Sequence, residues 1–144
     1  MKRLLLLACL SGCVSGSSGL RIVHPEDESR VASLQPTLRW EPFDLNSIAY
    51  RKRETRGTVS NVTYELRLWH EKDEQIDLVY QVEGLEQPEH RIEVLLFPEA
   101  QYRWSVRASF LLENRRRVTE WSLQDSDAQH FAVPNQGCAA FVTP

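Results

Sequence analysis

The feature that most constrains this chain is a strict two-residue alternation of apolar and polar side chains, repeated in short runs. In a strand, successive side chains point to opposite faces, so such alternation marks a half-buried β-strand. The clearest run places Val62, Tyr64, Leu66 and Leu68 on one face and Thr63, Glu65 and Arg67 on the other. Residues 102–108 alternate as strictly, with Tyr102, Trp104, Val106 and Ala108 on the apolar side. Weaker runs follow the same rule. Residues 20–23 make a first strand stopped by Pro25, and Leu38 and Trp40 share a face between Pro36 and Pro42. Leu78, Tyr80 and Val82 form another set, Ile92, Val94 and Leu96 the next, and residues 129–133 close the series. The pattern predicts seven short strands and no helix, which for about 115 residues reads as an all-β, seven-stranded antiparallel β-sandwich.

The first residues break this pattern. Lys2 and Arg3 precede a short apolar stretch, and Ser11, Gly12 and Cys13 follow it. A basic start, a short apolar stretch and small residues at a cut site are the layout of a secretory signal. The stretch is far shorter than the ~20 residues that span a bilayer. Leu10-Ser11-Gly12-Cys13 resembles the lipobox of bacterial lipoproteins. That resemblance implies cleavage before Cys13, a covalent lipid on its sulfur, and palmitate or a similar acyl chain on its new amino group. Val14, rather than Asp, follows the cysteine, which in that family implies the outer membrane. The expected organisation is a signal peptide over residues 1–12, a flexible tether over 13–19, a β-sandwich over 20–134 and a C-terminal tail over 135–144. The expected location is the bacterial cell envelope, with the domain in the periplasm or at the cell surface.

Two further segments bring a family to mind. Residues 96–108 place Leu96, Pro98, Tyr102, Val106 and Ala108 in the spacing Leu-x-Pro-x-x-x-Tyr-x-x-x-Val-x-Ala. This resembles the signature of fibronectin type III domains, which are immunoglobulin-like sandwiches. Glu120-Trp121-Ser122 resembles the Trp-Ser segment before their last strand, and Leu38 with Trp40 their second strand. The resemblance implies that Tyr102 is a structural tyrosine corner, its hydroxyl tied to backbone near the preceding turn. It says little about activity, because this fold hosts many binding roles.

The formal charge of -3 becomes about -5 once Lys2 and Arg3 leave with the signal. An acidic domain is a poor nucleic-acid binder, because that binding rests on many phosphate contacts from Lys and Arg. Two basic segments stand against this background. One is the loop of residues 43–60 with Arg51, Lys52, Arg53 and Arg56; the other is the turn holding Arg115, Arg116 and Arg117. In the resembled fold they emerge at one end of the sandwich, as candidate loops for an anion or a protein partner. The four histidines lack metal-ligand spacing, and no Gly-x-Ser-x-Gly elbow is present. No metal, catalytic residue or cofactor is expected beyond the lipid on Cys13. Cys138 remains as an odd cysteine, an intermolecular partner or a free thiol. The expected function is a lipid-anchored, non-enzymatic envelope binding or assembly module that docks a protein partner near the membrane. Anionic glycan or lipid headgroups are further candidate ligands. The alternative is a carbohydrate-binding or adhesive module using exposed aromatics such as Trp69.

Overall fold

A computed structural model describes residues 19–44, 57–122 and 138–144. Among these the fold is all-β with no helix, and two open sheets pack in a sandwich-like arrangement. Nine strands are seen: β1 (Ile22–His24), β2 (Ser29–Arg30), β3 (Thr37–Trp40), β4 (Val59–Lys72), β5 (Gln75–Leu85), β6 (Glu89–Arg91), β7 (Gln101–Leu112), β8 (Arg115–Val118) and β9 (Ala139–Val142). The small sheet has the order β1-β3-β6. The large sheet runs β2-β9-β7-β4-β5, with β8 also paired to β7.

The strongest alternation builds the centre. β4 and β7 pair antiparallel, with Tyr64 opposite Ala108, Leu66 opposite Val106 and Leu68 opposite Trp104. Leu66, Leu68, Trp104, Val106 and Ala108 are fully buried. Leu38 and Trp40 of β3 meet them from the other sheet. Trp40 packs edge-on to Tyr64 at 5.3 Å and tilts against Trp104 at 6.4 Å. Each such ring buries a large apolar area, which is the main force holding two sheets together.

Several strands depart from the alternation, each for a local reason. On β5 the register shifts between Leu68 and Trp69, so Leu68 faces Tyr80 but Trp69 faces Leu78. Val79 is the extra residue of a bulge, and a bulge reverses which face later residues occupy. Leu78 is therefore half exposed on the outer face, while Tyr80 and Val82 stay on the inner one. Residues 92–96 do not extend β6. The N–H of Ile92 donates to the Pro36 carbonyl and that of Leu96 to Leu34, so their bonds go to the β2–β3 connection instead. Ile92 and Leu96 are buried, but Val94 is exposed. The turns β4–β5 and β7–β8 each have two residues with positive φ, Asp73 with Glu74 and Glu113 with Asn114. That is the turn whose twist matches a tight hairpin.

The end of the chain differs most from expectation. Residues 139–142 lie in the segment read as a tail, yet they form β9, with Ala139 and Phe141 fully buried. β8 pairs with residues 109–112 of β7, and β9 pairs with residues 101–104. Between them Thr119 N–H donates to Ala108 O, and Ser122 N–H to Val106 O. One side of β7 is thus covered end to end by two pieces of chain, separated in sequence by residues 123–137. The strand expected at 129–133 falls outside the described residues.

Candidate functional site

The first candidate is the β7–β8 hairpin. Arg115, Arg116 and Arg117 are not in a loop, as their sequence suggested, but in a paired strand, and all are exposed. Pairing divides them. Arg115 opposes Leu112 and Arg117 opposes the buried Phe110, so those two lie on the inner side. Arg116 opposes Leu111 on the outer side, where its Nε donates to the Ser109 hydroxyl at 3.1 Å. There it lines a groove of about 320 Å³ with Thr63, Glu65, Glu83, Gly84 and Arg107. None of the three arginines meets a carboxylate among the described residues.

Residues 45–56 of the second basic segment, with Arg51, Lys52, Arg53 and Arg56, lie outside the described residues, as does Cys13. The two ends of that segment are described. Phe43 stacks on Phe110 at 4.3 Å, and its N–H donates to the Tyr64 hydroxyl at 2.9 Å. On the other side, Thr58 O accepts the N–H of Glu113. Both flanks therefore sit at the hairpin end.

The outer face of the large sheet carries a different set of arginines. The Glu65 carboxylate accepts from Arg107 Nε at 2.6 Å, Arg67 at 3.0 Å and Gln81 at 3.1 Å. Both guanidiniums lie over the Trp121 ring, at 4.6 and 4.5 Å from its centroid. Trp121 is held by its neighbour Ser122, whose hydroxyl accepts the Val106 N–H at 3.0 Å and whose carbonyl accepts from the Ser105 hydroxyl. Farther along, Arg103 makes a two-pronged pair with Glu71 at 2.7 and 3.1 Å. That bonding holds the Arg103 guanidinium above its ordinary pKa. Trp69 stands on this same face but is only 5% exposed, so it is not the exposed aromatic that a glycan site requires.

Tyr102 is 1% exposed, and its hydroxyl accepts the Phe97 N–H at 2.9 Å. Burial raises its pKa against the opposing pull of that bond. Cys138 is a buried free thiol pushed up to about 12, chiefly by burial. A thiol held so far from ionisation is a poor nucleophile and a poor disulfide partner. No cluster of three or more metal-ligating side chains occurs among the described residues.

Two surfaces escaped the sequence reading. Among the described residues β5 has no hydrogen-bonded strand on its far side, and it exposes Leu78 at 50% and Val79 at 41%. Without the bulge, the alternation hides Leu78 in the core. The β6–β7 loop exposes Val94, Leu95 and Phe97, the last two at 74% and 66%. Reading that stretch as a strand concealed it. No family model, no curated protein and no solved structure matches the chain.

Proposed function

We propose that this chain is a lipid-anchored, non-enzymatic binding module of the bacterial envelope, built on a fibronectin type III-like sandwich, that docks a protein partner near the membrane. The observation behind the docking is the edge of β5, which no strand covers among the described residues. An eleven-residue edge with exposed Leu78 and Val79, and neither Lys nor Pro along it, is a template for an added strand. Soluble domains blunt such edges with Lys, Pro, charges and bulges; this one has the Val79 bulge, Asp77 and Glu83 but neither Lys nor Pro, so an added strand would pair on one side of the bulge. The partner chemistry is an extended segment of an envelope protein with apolar residues at alternate positions.

The family reading draws support from three features. If β1 is counted with β2, and β8 with β9, the strands reduce to seven in a three-on-four arrangement. The Tyr102 hydroxyl ties to backbone five residues upstream, across the turn before β7. The Trp121-Ser122 pair docks on β7. The anchor reading rests on Leu10-Ser11-Gly12-Cys13. The test is crosslinked capture of the native protein beside a Leu78→Lys, Val79→Lys variant. Both side chains are about half exposed, so the fold should lose no more than about 1 kcal/mol. A stoichiometric envelope protein recovered with the parent chain and lost with the variant supports docking at this edge. Equal recovery with both removes it.

A further inference from the structure

We propose that the β8 arginines face the acidic phosphate headgroups of the leaflet that holds the lipid on Cys13, so that lipid and charges grip one surface. This rests on the lipid-anchor reading above. The structural argument begins at Gly19, which bridges Glu120 in the parallel sense. A Cβ at Gly19 would stand 2.5 Å from the Trp121 carbonyl oxygen, so the backbones are in close contact there. The start of the described chain is thus fixed against the residues that follow β8. Parallel pairing also gives Gly19 the chain direction of β8, which runs from the hairpin turn inward.

Cys13 lies six residues before Gly19. Six residues reach at most about 20 Å. At ~3.3 Å per residue, Arg117 is about 10 Å and Arg115 about 17 Å from Glu120, on the hairpin side. Cys13 is therefore held within about 20 Å of Gly19, a range that takes in the level of β8.

The distribution of charge favours headgroups over an acidic protein face. Arg115 and Arg117 project from one side of β8 and Arg116 from the other. A protein docked on either side meets only part of the triplet. A headgroup layer entered edge-on meets all three, and each guanidinium can take phosphate oxygens in two-pronged fashion. Residues 109–118 at the end of the hairpin carry one opposing charge, Glu113, and so keep a net of +2 (three arginines less one glutamate), with Glu83 and the paired Glu65 across the groove from Arg116. Arginines near an anionic leaflet are attracted over about a Debye length, so the attraction is sensitive to salt.

The test is arginine footprinting with phenylglyoxal on the full-length protein extracted from membranes and reconstituted into vesicles. One set is phosphatidylcholine alone; the other contains a quarter phosphatidylglycerol. Mass spectrometry of the N-terminal peptide reads the state of Cys13 in the same sample. The expected result is a lipid on Cys13 and modification of Arg115, Arg116 and Arg117 slowed about tenfold in the anionic vesicles. Exposed Arg39 and Arg91 should be unaffected, and 0.5 M salt should reverse the protection. A lipidated Cys13 with equal rates in the two vesicle sets overturns this inference and leaves the anchor standing. An unmodified Cys13, or residues 1–12 still attached, overturns the anchor reading and the inference with it. Protection present in native membranes but absent in anionic vesicles assigns the triplet to an acidic protein and overturns the headgroup assignment.

Discussion

Two groups of arginines on neighbouring strands are treated in opposite ways. In the middle of the large sheet, Arg67, Arg103 and Arg107 are partly buried, paired with Glu65 or Glu71, and two of them stack on Trp121. At the hairpin end, Arg115, Arg116 and Arg117 are exposed and meet no carboxylate among the described residues. The difference is one of place. A guanidinium drawn partly out of water must be compensated, because the loss of its hydration costs several kcal/mol. An exposed guanidinium keeps its hydration and needs no partner. The first group therefore belongs to the fold. The second group is free to act on something outside it.

This contrast is broken most strongly at Glu65. Its side chain is 12% exposed, and it holds Arg107, Arg67 and Gln81 at once. Glu65→Ala leaves two half-buried guanidiniums without their carboxylate. The expected loss is about 2 kcal/mol, read as a lower urea midpoint with an unchanged slope. Glu65→Gln keeps an acceptor oxygen and should lose about half as much. A midpoint unmoved in Glu65→Ala would place these arginines with the hairpin group, as solvated charge.

Trp121 is the next test. Its ring takes two guanidiniums, and each such contact is worth about 0.5–1 kcal/mol when partly exposed. Trp121→Ala should cost about 1–2 kcal/mol, whereas Trp121→Phe, which retains a ring face, should cost less. Equal losses in the two variants would show that an aromatic face over the guanidiniums contributes nothing. The same denaturant series distinguishes them.

The sequence made these two groups hard to tell apart, and the reason is physical. Alternation exposed the core faces of β4 and β7 clearly, because the central strands of a sandwich bury one face along most of their length. It reports the face and not what covers it. Alternation puts Arg67 and Arg107 on the outer face, but nothing in it shows that Trp69 is buried or that Trp121 lies over Arg67 and Arg107. Those contacts join residues far apart in sequence. Bulges are equally silent: the single extra residue at Val79 turns Leu78 outward. β9 was missed because Cys138, Ala139 and Ala140 are small and form no alternating pattern. Its assignment comes from pairing with residues 101–104. At the hairpin, the run Glu-Asn-Arg-Arg-Arg read as a charged turn because its polar residues hide a two-residue turn at Glu113 and Asn114.

The smallest expected effect sharpens the comparison most. Changing Arg115, Arg116 and Arg117 together to Gln removes three charges from β8 but keeps side chains of similar reach on a paired strand. Only the Arg116 bond to Ser109 is lost from the described contacts, and it is exposed. Surface changes away from special features stay within about 0.5 kcal/mol. The urea midpoint should therefore barely move, and relief of repulsion between adjacent cations acts in the stabilising direction. Meanwhile association with anionic surfaces should fall and lose its salt dependence. A triplet that holds the hairpin in place would give the reverse pattern: a loss above about 1 kcal/mol with binding and folding failing together. The triple variant and Glu65→Ala thus read the same chemical group in opposite roles, one through a ligand and the other through the midpoint of unfolding.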